Sequence, residues 1–256
     1  MKNRFCFLVV LALLLLSGCS PEGASADSDF FLWSDAYVAM EEGVPYTYSF
    51  TYYCEDPGAY LDPERVDGFY IPGLPSPEVL LSSWEFHDAE HLGWDLTLDF
   101  AFPQQEVYEI TSLGFYLDDG TTVEYPVGNL VFDVGPPADE TTPEEIYYWV
   151  STVATSNSGT YPYHYEIGEG VKLLEIAYWK DISETDEDGL PASGGLPLSI
   201  WSEAPIKMVR PRLEIQVGTE RKTVYANLCW CGTLSFDDAD LEASRAYTAS
   251  MRGETA

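Results

Sequence analysis

Carboxylates, thiols and imidazoles are unevenly spread along this chain, and several clusters of them have spacings that could do chemistry. Asp181 to Gly189 reads DISETDEDG. Glu184, Asp186 and Asp188 alternate with other residues and Gly189 follows, which imitates the first half of a calcium loop, where alternate oxygens turn inward and glycine permits the turn. The later donors fail, because Ala192 and Gly195 stand where oxygens belong. The stretch reads as a solvated acidic loop, with Glu184, Asp186 and Asp188 as candidate ligands of a weak Ca²⁺ site and no other cofactor. Cys54, Cys229 and Cys231 form the second cluster. Alternation along Tyr46, Tyr48, Phe50, Tyr52 and Cys54 puts Cys54 on the buried face of a strand. In the same way Val224, Ala226, Leu228 and Trp230 form one face, which leaves Cys229 and Cys231 on the other. Two residues apart on an extended strand they sit about 7 Å from each other, at the limit of disulfide reach. Unpaired thiols, a bridge from Cys54 to one of the pair, and a thiolate metal site all remain open.

Two of the three histidines belong to His87-Asp88-Ala89-Glu90-His91. This H-x-x-E-H stretch resembles the zinc motif of the inverzincin metallopeptidases. The resemblance implies that His87 and His91 bind zinc from one face of a helix while Glu90 activates water. The context departs from that family: the stretch lies in a short connection between two expected strands, Gly93 follows closely, and no downstream helix with a further Glu ligand is recognisable. An exposed polar hairpin loop is the simpler reading. Neither a Gly-rich phosphate loop after a strand nor a G-x-S-x-G elbow is present, so nucleophilic catalysis has no visible apparatus.

At the N-terminus Lys2 and Arg4 precede an apolar run from Phe5 to Leu16, and Leu16-Ser17-Gly18-Cys19 closes it. That is the layout of a secretory signal peptide, and the run is shorter than the roughly 20 residues that span a bilayer. The closing residues resemble the lipobox of bacterial lipoproteins. The resemblance implies cleavage before Cys19, diacylglycerol on its sulfur, and attachment to a bacterial membrane through acyl chains on the extracytoplasmic side. Ser20 to Asp29 then reads as a flexible tether. The formal net charge is −31, and removal of Lys2 and Arg4 makes it more negative. So acidic a chain repels phosphate backbones, which argues against a nucleic-acid partner.

The elements that must position these residues are strands. The chain is 46% hydrophobic and 14% aromatic, with 18 tyrosines, a composition of strands and turns. Period-two alternation predicts strands over Tyr46 to Cys54, Val79 to Phe86, Trp94 to Phe102, Val107 to Leu117, Thr121 to Tyr125 and Asn129 to Val134. Asp119-Gly120 marks a hairpin. Pro57 to Pro77 looks too broken for a long regular element.

The second half echoes the first. Phe30 to Trp33 matches Ile146 to Trp149, Pro45 to Phe50 matches Pro162 to Ile167, and the Leu113 to Val123 hairpin matches Leu213 to Val224. The expected fold is all-β, with two tandem, similar, immunoglobulin-like β-sandwich domains. The divisions are 1–18 signal peptide, 19–29 tether, 30–136 first domain, 137–143 linker, 144–236 second domain and 237–256 tail. Thr142-Pro143-Glu144-Glu145 imitates a helix start, so a short helix near 143–154 is an alternative there. Two functions from different classes follow. One is a lipid-anchored, non-enzymatic surface protein that binds a protein or glycan, and the other is a zinc-dependent hydrolase built on His87, Glu90 and His91.

Overall fold

Strand β2 (Ser34–Glu41) is buried at seven of its eight positions, and this explains the layering. Ala36, Val38 and Met40 enter one apolar cluster, whereas Tyr37 and Ala39 enter another. A strand with no wet face needs a layer on each side of its sheet. The computed structural model, which describes residues 29–54, 61–74, 77–88, 93–140, 146–150, 160–178, 181–184, 193–199, 203–230 and 236–253, shows those layers.

The middle layer is a six-stranded sheet in the order β17 (Cys229–Trp230), β14 (Ile206–Arg210), β2, β8 (Thr122–Gly135), β7 (Val107–Leu117) and β4 (Val66–Tyr70). Strand β2 runs parallel to both neighbours, with Ser34 opposite Gly128 and Ala36 opposite Met208. Gly128 has φ +126° and a Cβ there would lie 1.7 Å from the Ser34 carbonyl oxygen, so only glycine lets the two strands meet at this point. One face of the sheet packs on β1 (Asp29–Phe31), β3 (Tyr46–Cys54), β6 (Gly93–Ala101) and β5 (Glu78–Asp88), which pair in that order. Rings fill the gap between these layers: Phe100 lies 5.2 Å from Phe132, and Phe31 stacks at 6.0 Å on Phe115. The opposite face packs on β11 (Val171–Tyr178) and β15 (Arg212–Val217) through Leu173, Ile176, Leu213 and Ile215. These two are flanked by β12 (Asp181–Glu184) and β16 (Glu220–Tyr225). A three-stranded sheet of β13 (Ser193–Ser199), β10 (Thr160–Ile167) and β9 (Ile146–Val150) accompanies them.

The fold is all-β and its strands pack as β-sandwich layers, as the alternation implies. Both hairpins of the sequence echo are present, β7 with β8 and β15 with β16, each with a positive-φ glycine in its turn, Gly120 and Gly218. Three details differ from the sequence reading. Separate cores are expected on either side of residues 137–143, yet β14 and β17 extend the same sheet as β2 and β8, so both sides build one middle layer. The helix considered near 143–154 is replaced over Ile146–Val150 by β9, whose Tyr148 and Trp149 pair with Glu166 and Tyr165. Its aromatic and β-branched residues suit a ladder better than a helix. Finally, the tail, expected to be a frayed end or a short loose helix with few anchors, is an anchored helix over its described residues. Asp238–Arg252 forms helix α1, started by a capping box between Asp237 and Asp240 and ended by left-handed Gly253. Tyr247 stacks on Trp33 at 4.6 Å, and the guanidinium of Arg252 lies 5.3 Å from the Tyr125 ring centre.

Candidate binding cleft

The tripeptide Gly-Phe-Tyr occurs twice, as Gly68-Phe69-Tyr70 on β4 and Gly114-Phe115-Tyr116 on β7. The two copies run antiparallel and pair with one another, Gly68 opposite Tyr116, Phe69 opposite Phe115 and Tyr70 opposite Gly114. Alternation sends the phenylalanines inward, where their ring centres are 5.4 Å apart and Phe115 is fully buried. The tyrosines lie on the outer face. Each lies over the other strand's glycine: a Cβ on Gly114 would come within 2.1 Å of the Tyr70 ring, and a Cβ on Gly68 within 3.7 Å of Tyr116. The two rings meet across the strands with centres 4.7 Å apart and planes inclined by 39°, a separation at which they partly overlap.

Strand β8 completes the row. Glu124 pairs with Gly114 from the far side, so the Tyr70 ring spans Gly114 and its hydroxyl donates to Glu124 Oε1 at 2.9 Å. Burial, and then this bond to a carboxylate, hold the Tyr70 phenol above its ordinary pKa, which keeps it a donor. Tyr116 is 48% exposed. Beside the rings, the edge of β4 opens into a cleft of about 520 Å³ lined by Phe69, Tyr70, Ile71, Leu74, Pro77 and Tyr116. The volume is within the range of small-molecule sites. Chemically the place offers a pair of contacting aromatic rings, a carboxylate bonded to one of them and a recess of mixed polar and apolar surface.

Of the residues singled out by sequence, those among the described residues do not line this cleft. Cys19 lies outside the described residues, as do Glu90, His91, Asp186, Asp188 and Cys231. His87 belongs to β5 as extended chain, whereas the metallopeptidase motif needs a helix from its first histidine onward. Glu184 ends β12, opposite Glu175. Among the described residues no group of three or more His, Cys, Asp or Glu side chains is placed to hold a metal ion. Cys54 is buried in the cluster between β3 and the middle sheet. Cys229 is buried as well, in the other cluster, although alternation places it opposite the apolar face. Strand β16 stops at Tyr225, and β17 begins afresh at Cys229 against Val209, so the count of two is broken between them.

The cleft escaped the sequence reading because Pro57 to Pro77 looked broken, and β4 is only five residues long. The available signal was the repeated Gly-Phe-Tyr. Glycine two positions before an outward tyrosine, on two strands, is the pattern of a ring laid over a neighbouring backbone.

No family model and no curated protein matches the chain. Solved structures overlap with it weakly. A Bacteroides ovatus protein, SGBP-B of the mixed-linkage glucan utilization locus in complex with a mixed-linkage heptasaccharide, is 10% identical over 76% of this chain and 43% of its own length, with a TM-score of 0.24. The endo-fucoidan hydrolase MfFcnA4 of glycoside hydrolase family 107 is 15% identical over 81% of this chain and 30% of its own, with a TM-score of 0.24. Fibronectin(III)-like modules of Clostridium thermocellum CbhA are 11% identical over 82% of this chain and 97% of theirs, with a TM-score of 0.20. The chain spans less than half the length of the first two. Overlaps of this size carry no argument about ligand or activity.

Proposed function

We propose that this chain is a non-enzymatic binding protein, carried on the extracytoplasmic side of a bacterial membrane by acyl chains on Cys19, and that it meets a protein or glycan through the cleft at β4 and β7. The observation that carries the reading is the Gly-Phe-Tyr pair. Two aromatic rings meet on the outer face of a sheet, Tyr70 laid over Gly114 and Tyr116 against it and 48% exposed. Exposed aromatic surface beside a recess is costly to keep in water and is commonly a recognition site. The LSGC residues at Cys19 support the anchor.

The test uses the full chain in its native cell. The parent protein and a Tyr70→Ala, Tyr116→Ala double variant are cross-linked at the cell surface and recovered, and what each captures is compared. Capture by the parent that the variant loses supports the reading; equal capture by both removes the cleft from it. The anchor is tested separately: Cys19→Ser is expected to abolish labelling by a palmitate analogue and to release the protein from the detergent phase.

A further inference from the structure

Resting on that reading, we infer that the cleft takes a neutral, unbranched oligosaccharide, with the face of one sugar ring laid on the Tyr70 and Tyr116 platform. Three observations converge. The first is shape. The two rings touch each other, with centres 4.7 Å apart, so no cation fits between them, and Tyr116, 48% exposed, leaves ring surface open to a flat ligand. A pyranose has such a face, a layer of C–H bonds that sits well on the electron-rich side of an aromatic ring. The second is hydrogen-bonding capacity. Glu124 accepts one bond from Tyr70, and a carboxylate has about four acceptor positions, so several are left at the platform's edge for donors. Sugar hydroxyls are donors without charge, and they match an acceptor set level with the ring they stack on. The third is electrostatics. Glu124 at the platform and a formal net charge of −31 set a negative potential over the approach. Uronic-acid or sulfated chains are repelled, so the class is narrowed to neutral sugars. The open edge of β4 beside Gly73 and Leu74 lets a chain continue past the stacked ring.

Gly114 gives a selective handle. A methyl group there meets the outer end of the Tyr70 ring first, so Gly114→Ala is expected to lift the ring off the platform while the layers beneath remain packed. Isothermal titration of the full mature chain with cellohexaose, laminarihexaose, mannohexaose and maltohexaose, and with hexagalacturonic acid as the charged control, tests the inference. At least one neutral hexasaccharide is expected to bind and the galacturonate is not. Gly114→Ala, Tyr70→Ala and Tyr116→Ala are each expected to weaken binding by about tenfold or more, as loss of a stacking ring does. Glu124→Gln is expected to weaken it several-fold with unchanged thermal stability. Absence of heat with all four neutral sugars, equal binding of the galacturonate, or undiminished binding by folded Tyr70 and Tyr116 variants overturns it. If cell-surface capture depends on the two tyrosines but the captured partner is a protein stripped of glycan, the binding reading stands and this inference falls.

Discussion

Asp29 is a carboxyl in the core, and two tyrosines account for it. Tyr52 donates to its Oδ2 at 2.8 Å, Tyr125 donates to the same oxygen, and the Tyr52 hydroxyl in turn accepts from the Leu61 backbone N–H at 2.9 Å. Bonds to an acidic acceptor contribute about 1.5–3 kcal/mol each, and orphaned buried donors cost about as much. Asp29→Ala is therefore expected to lower unfolding free energy by about 2–4 kcal/mol in urea titration, and Asp29→Asn, which keeps one acceptor, by less. The same phenols set a pH limit. Burial first, and then neighbouring negative charge, raise the pKa values of Tyr52 and Tyr125, and burial does the same for Tyr48. A group raised in the fold adds stability that is fully present below its unfolded value, about 10 for tyrosine, and lost as pH climbs through the folded value. Stability is expected to hold up to about pH 10 and then fall, with buried phenolate absorbance at 295 nm rising together with loss of circular dichroism. A phenolate signal from all 18 tyrosines at ordinary pH, with the fold intact, contradicts this. At this scale the sequence was readable wherever alternation ran undisturbed. Cys54 ends a strand that alternates as far as Tyr52 and is buried as expected, whereas Cys229 follows a break and is not where counting by two puts it.

Elements were legible in proportion to how one-sided their burial is. Strand β3 matches its sequence bounds because Tyr48, Phe50 and Tyr52 face the core and Thr47, Ser49 and Thr51 face out, where they bond Asp99, Thr97 and Asp95. Strands β2 and β14 gave no alternation to read, since their neighbours bury both faces. Helix α1 was legible only as a loose helix or a frayed end, for the opposite reason. Two of its three buried residues, Ser244 and Thr248, are polar, so its inner face does not look apolar. Ser244 is satisfied: its Oγ accepts from the Trp33 backbone N–H at 3.0 Å and donates to the Asp240 carbonyl at 2.9 Å. Thr248 differs, because its buried hydroxyl has no partner among the described residues. Thr248→Val keeps the shape and removes the stranded group, so it is expected to raise stability by about 1 kcal/mol, against a helix-propensity difference close to zero. Asp237→Ala removes the cap and is expected to cost about 1 kcal/mol. Both are read as shifts in thermal midpoint, and a fall with Thr248→Val means that the hydroxyl is bonded in solution.

For the whole molecule the question is whether the two halves of the sequence echo fold as two. Each half keeps its own hairpin, so the echo survives locally. The middle sheet, however, is made by both. Strand β14 lies along β2 over five residue pairs, from Ile206 with Ser34 to Arg210 with Val38, and Arg210 Nη1 donates to the Ala39 carbonyl at 3.0 Å. Lys207 is wholly buried on β14 directly opposite Asp35. Tyr37, Ala39 and Val131 of the first half find their apolar contacts on Leu213, Ile215 and Val209 of the second. The join continues beyond the core: Arg212 pairs with Asp133 at 3.5 Å, and the Tyr225 hydroxyl, its pKa pushed up to about 12 chiefly by burial, donates to the Pro136 carbonyl. A fragment ending at Glu140 would leave β2 as an open parallel edge with one face wet, and unpaired strand edges invite aggregation. A fragment from Thr141 to Phe236 would leave β14 with β17 as its neighbour and no central strand. Neither fragment is expected to fold alone, and the full chain is expected to unfold in one transition, with tryptophan fluorescence and far-ultraviolet circular dichroism giving the same urea midpoint. Two separated midpoints, or a Thr141 to Phe236 fragment with sharp dispersed amide resonances, would show instead that the shared sheet is a contact between finished domains; a single coincident transition shows that the middle layer is where the two halves become one folding unit.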